Sequence, residues 1–65
     1  MRITLNDEPR EVAAATLAGA LQELGFGAAR IATAVNGGFV PATARARHRL
    51  AEGDRLEVLA PMQGG

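Results

Sequence analysis

A chain of 65 residues is one domain near the lower size limit for folding without staples, because so short a chain hides only a modest share of its surface. It has no cysteine, which excludes disulfides and thiolate metal sites, and its lone His48 has no acids at ligand spacing, so no metal is expected. Seven arginines balance seven acids, with no lysine; this argues against nucleic-acid binding and leaves no side-chain amine for isopeptide chains built on the protein itself. No apolar run approaches the length of a membrane span. No basic segment followed by an apolar stretch opens the chain, so no secretory leader is expected and the expected setting is the cytoplasm. The core has to come from aliphatics, since Phe26 and Phe39 are the aromatic residues.

Met1 to Asn6 alternates, with Ile3 and Leu5 on one face and Arg2 and Thr4 on the other, which predicts a strand. Asn6-Asp7-Glu8-Pro9 is turn chemistry. Arg10 to Val12 then reads as a return strand, and Pro9 suits its start or an edge position. Thr16 is a good N-cap. Leu17, Leu21 and Leu24 recur at i, i+4 and i+7 on one face of a helix of about nine residues. Gly19 weakens that helix by about 1 kcal/mol relative to Ala, so it marks a point of close packing. Gly25 is a left-handed stop, with Gly27 just beyond.

Ile31 to Asn36 alternates again, with Ile31, Thr33 and Val35 opposite Ala32 and Ala34. Asn36-Gly37 is a strong turn signal, and Phe39-Val40 is a short extended stretch ended by Pro41. Ala42 to Leu50 is open between a helical turn and a loop leading to an edge strand. Glu52-Gly53-Asp54 is a turn. Leu56 and Val58 alternate with Arg55 and Glu57 in a last strand, which Ala60 and Pro61 end.

This order predicts an α+β domain, a small mixed sheet packed against one main helix. A right-handed crossover through the helix would place the third strand parallel to a hairpin strand. The expected core is Ile3, Leu5, Val12, Leu17, Leu21, Leu24, Ile31, Val35, Val40, Leu50, Leu56 and Val58. Residues 1–59 form the domain; residues 60–65 are expected to be a flexible tail ending in Gly64-Gly65. With no cysteine and one unpartnered histidine, the chain has no triad or paired acid–base site of its own. The terminal Gly-Gly has little packing value, but it has chemical value if the terminal carboxylate reacts.

Several segments resemble one family. Val35-Asn36-Gly37-Gly38-Phe39-Val40-Pro41 looks like the "VNG-x-FVP" segment of ThiS-type sulfur carriers, a branch of the ubiquitin-like β-grasp. Leu50 to Val58, with Glu52-Gly53-Asp54 inside it, is similar to their "L-x-x-GD-x-(I/L)-E-(I/V)" segment. Leu5-Asn6-Asp7-Glu8-Pro9 resembles their first hairpin. Pro61-Met62-Gln63-Gly64-Gly65 resembles their ending and is the most specific piece. Two places depart from the pattern: Asp7 stands where Gly is common, and Ala42 to Arg49 matches no family segment.

The resemblance implies a protein co-substrate, not an enzyme. An ATP-using, ThiF-like adenylyltransferase would convert the carboxylate of Gly65 to a glycyl adenylate. A sulfur donor such as a cysteine desulfurase would lead to the thiocarboxylate, and a ThiG-like thiazole synthase would take the sulfur during thiamin biosynthesis. The carrier itself would bind no cofactor. The same tail also suits carriers for molybdopterin, cysteine or tRNA thiolation, and the fold suits a ubiquitin-like interaction module.

Glycine fits the reacting end physically. Gly65 has no side chain to obstruct its carbonyl, and Gly64 permits close approach. The six tail residues reach about 20 Å when extended, enough to enter a partner's channel. Pro61 stiffens the base of that tail. Phe39, Met62 and Gln63 are the candidates for partner docking, with core burial the alternative for Phe39. Arg45, Arg47 and Arg49 are either a solvated face or a contact for an acidic partner. His48 is expected at the surface.

Overall fold

The computed structural model describes residues 1–27 and 30–60. The chain runs through β1 (Arg2–Leu5), β2 (Glu8–Glu11), α1 (Leu17–Glu23), β3 (Ala32–Val35), β4 (Gly38–Val40), a 3-10 helix (Ala42–Arg47) and β5 (Arg55–Leu59). The strands form one sheet in the order β2-β1-β5-β3-β4. Only β1 and β5 are parallel; the β1–β2, β3–β4 and β3–β5 pairs are antiparallel. The expected parallelism of the third strand holds in direction only. β3 runs with β2, but β5 is inserted between β1 and β3, so the last strand occupies the centre.

Both hairpins turn through two residues at positive φ: Asn6 (49°) with Asp7 (73°), and Asn36 (51°) with Gly37 (83°). Two left-handed residues make a type I′ turn, whose twist matches the strands it joins. The first turn is therefore shorter than the four residues expected. Glu8 and Pro9 already lie in β2, where Pro9 faces Thr4 on an edge strand and removes no interior ladder bond.

Thr16 caps α1 as expected, its Oγ1 accepting from the Gly19 N–H at 3.2 Å. The helix is seven residues long, with Leu24 as its C-cap. Gly25 follows at φ 94°; its N–H donates to the Gln22 carbonyl and that of Phe26 to the Leu21 carbonyl. This is a Schellman ending, which needs a left-handed residue where Gly25 stands. Gly19 does mark a close approach, since a Cβ there would lie 2.7 Å from the Ala14 Cβ.

Alternation puts Ile3, Leu5, Thr33, Val35, Val40, Leu56 and Val58 on the face under α1, where Leu17, Ala20 and Leu21 meet them; Val12 and Leu50 complete the core. Leu24 and Ile31, expected inside, pack at its margin. Ala20 and Thr33 are buried beyond expectation. Thr33 is tolerated there because its hydroxyl is paired, donating to the Val40 carbonyl at 2.8 Å. The ambiguous segment after Pro41 is the 3-10 helix, which packs against α1. Beyond it, the Leu17 N–H donates to the His48 carbonyl and the Leu50 N–H to the Ala15 carbonyl. His48 is thus half-buried rather than a free surface residue.

Candidate functional site: the tail root and the open sheet face

Among the described residues, the sheet has helix on one face only. On the other, alternation sets out Ala32 and Ala34 of β3, Phe39 of β4, and Arg55, Glu57 and Leu59 of β5. Phe39 and Leu59 are each 71% exposed. Their parity explains it: Val40 and Val58 point inward, so the residues beside them in sequence point outward. Phe39 lies opposite Ala34, Ala34 opposite Glu57, and Ala32 opposite Leu59. Two small alanines between two large apolar side chains leave a shallow concavity of about 200 Å³, with Asn6 and Glu57 also on its lining. Two large apolar side chains so exposed on so small a domain make this patch the candidate contact surface.

Phe39 is therefore exposed, and its core alternative is ruled out. Leu59 belongs to the same patch and was missed by the sequence reading, although an apolar residue in the outward phase of a strand is a readable signal. Met62, Gln63, Gly64 and Gly65, expected to dock or to react, lie outside the described residues.

β5 delivers the chain to Ala60 beside this patch. A second, larger concavity of about 490 Å³ surrounds that point, lined by Arg30, Ile31, Ala32, Ala42, Arg45, Leu59 and Ala60. Arg45 is not a free cation for an acidic partner. Its Nη2 donates to the Ile31 carbonyl at 2.7 Å and its Nε to Thr33 Oγ1 at 3.1 Å. Arg47 and Arg49 are exposed. Among the described residues, no three His, Asp or Glu side chains gather as metal ligands, and no helix is long and apolar enough to cross a membrane.

A five-stranded mixed sheet on one helix, with the last strand in the middle and the chain leaving from its end, defines a β-grasp protein. The ThiS family model matches residues 3–65, and the chain belongs to that family. It is similar over 100% of both chains to the crystal structure of the thiamine biosynthesis protein (ThiS) from Geobacter metallireducens, with a TM-score of 0.83 and 28% identity. No curated protein matches the chain.

Proposed function

We propose that this protein is a sulfur carrier of thiamin biosynthesis, a co-substrate whose chemistry is catalysed by its partners. The observation that carries the reading is the family match, which extends from residue 3 to Gly65. A terminal carboxylate is ionised at neutral pH, with a pKa of about 3.3–3.7, and is a poor electrophile. Its oxygen attacks the α-phosphorus of ATP on a ThiF-like adenylyltransferase, and pyrophosphate leaves. A sulfide-level nucleophile, derived from a donor such as a cysteine desulfurase, then attacks the Gly65 carbonyl carbon. AMP departs and a thiocarboxylate remains, to be spent by a ThiG-like thiazole synthase. Gly64 and Gly65 give access, while Phe39 and Leu59 hold the body against the partner, with Met62 and Gln63 adding contacts along the tail.

Intact-mass analysis after incubation with ATP, sulfide and the activating enzyme tests this. Replacement of one oxygen by sulfur is expected; an unchanged mass with an enzyme that activates its own carrier sinks the reading. Deleting Gly65 should abolish the reaction and leave the thermal midpoint unchanged. Rescue of a thiamin auxotroph separates this pathway from other thiolation routes.

A further inference from the structure

The segment after Pro41 carries none of the motifs by which the sequence resembles the family, and the chemistry of the tail does not use it. Yet it reaches the tail root through one side chain. Arg45, half-buried on the 3-10 helix, bridges the Ile31 carbonyl and Thr33 Oγ1. Thr33 is 2% exposed and donates its own O–H to the Val40 carbonyl. One guanidinium thus ties the 3-10 helix to β3, and the Thr33 hydroxyl extends the tie to β4. The residue between its two acceptors is Ala32, which pairs with Leu59, the last residue of β5 before Ala60 and the tail. At that end β3 is the ladder partner of β5, since Leu59 lies beyond the β1 pairings at Arg55 and Leu56.

We infer that Arg45 is a positioning residue for the reaction: it fixes the Ala32–Leu59 end of the ladder, and so the direction in which the tail leaves toward the partner's active site. The inference rests on the carrier reading. A guanidinium suits the task because its planar fork presents donors to two acceptors at once, whereas a lysine ammonium is a single point. Arg45 makes its bonds on the helix side of the sheet and lies outside the concavity beside Phe39, meeting the docking patch only at Leu59 in the concavity of the tail root. Loss of Arg45 therefore misdirects the tail without removing the contacts that bind the body.

The test uses the full chain with its activating enzyme, comparing Arg45→Ala and Arg45→Lys with Arg47→Ala, a change at an exposed neighbour. Adenylation is followed by pyrophosphate release, and amide hydrogen exchange is read at the Ala32–Leu59 and Ala34–Glu57 pairs. For Arg45→Ala we expect kcat to fall about tenfold at nearly constant KM, the shift produced by roughly 1.4 kcal/mol. Exchange should accelerate at Ala32–Leu59 and stay unchanged at Ala34–Glu57. Arg45→Lys should recover part of kcat, and Arg47→Ala should match the parent. Parent-like kcat in a folded Arg45→Ala protein overturns the inference and leaves the carrier reading standing. Uniform acceleration of exchange across the sheet also overturns it, since Arg45 would then be a general stabiliser. A parent chain that is never adenylated defeats the carrier reading itself, and the role in the reaction with it. If Arg45→Ala does not fold, the lysine variant carries the same comparison: parent-like kcat and exchange there overturn the two-acceptor role.

Discussion

The β1–β2 and β3–β4 hairpins share a plan. Each turns through an asparagine followed by a second residue at positive φ, and each asparagine grips the central strand β5. Asn6 accepts from the Val58 N–H at 2.9 Å and donates to the Val58 carbonyl at 3.2 Å. Asn36 accepts from the Arg55 N–H at 2.9 Å and donates to Asp54 Oδ1 at 3.0 Å. Because β1 is parallel and β3 antiparallel to β5, the two turns hold opposite ends of it. The outer strands differ in kind. β2 reads Glu-Pro-Arg-Glu, is exposed throughout, and carries ion pairs of Arg10 with Glu8 and Arg2 with Glu11 at 3.5 and 3.7 Å. β4 reads Gly-Phe-Val and puts Phe39 into solvent. Charge and proline on β2 guard an open edge against pairing, while β4 presents a sticky one. The duplicated feature serves the fold, and the feature that is not duplicated lies on the side proposed for docking.

The comparison breaks most sharply at the asparagines. Either residue changed to Ala loses its tolerance of the left-handed region and two hydrogen bonds. Asn6→Ala should cost about 3 kcal/mol, because both lost bonds go to β5 backbone in a half-buried place. Asn36→Ala should cost nearer 2 kcal/mol, because water replaces partners that are exposed. Urea unfolding at constant m measures both. Equal costs would mean that the two ends of β5 are held alike, and that the tail end has no special support from Asn6.

The outer strands supply the next contrast. Phe39→Glu should leave stability almost unchanged, since the side chain is already 71% exposed. It should raise KM for adenylation about thirtyfold, the effect of losing roughly 2 kcal/mol from an aromatic anchor. Arg10→Glu, on β2, should change KM by less than about twofold, as expected for an exposed charge away from the contact. Both variants are read in the same pyrophosphate-release assay. A Phe39 variant with parent KM would detach the apolar hairpin from docking.

Strand parity made much of this readable in advance. Ile3, Leu5, Leu56 and Val58 alternate with charged or polar neighbours, so their inward face was legible, and Thr16, Gly25 and Asn36-Gly37 marked the helix ends and the second turn. The same parity assigns Phe39 and Leu59 outward, yet an apolar side chain has two plausible destinations, and only the position of the helix selects between them. Thr33 shared a face with Val35, but its polarity concealed a burial that Val40 and Arg45 make tolerable. Arg45 was least legible. Its partners lie 12 and 14 residues away, and no local period encodes contacts between a 3-10 helix and a strand. The central place of β5 was also hidden, since β1 meets a strand about 50 residues on, and local patterns do not carry strand order.

The finest contrast lies within the turns. Asp7 and Gly37 occupy the same position in equivalent type I′ turns, at φ 73° and 83°, but only one is the residue the geometry prefers. Among the described residues nothing lies within 4 Å of where a Cβ would sit on Gly37, so Gly37→Ala meets no clash there and should cost about 1 kcal/mol through the backbone alone. Asp7→Gly should run the other way. It relieves a left-handed aspartate but loosens the unfolded chain, and the balance should be a gain of about 0.5 kcal/mol. Among the described residues no hydrogen bond to the Asp7 side chain stands against that gain. Denaturant midpoints for the two single variants and the double variant decide the matter. The turns lie at opposite ends of β5, so the double variant should show the sum of the single effects. A loss of stability in Asp7→Gly would mean that the aspartate earns its place through the turn's own electrostatics, and the two hairpins would then differ in their turns as well as in their outer strands.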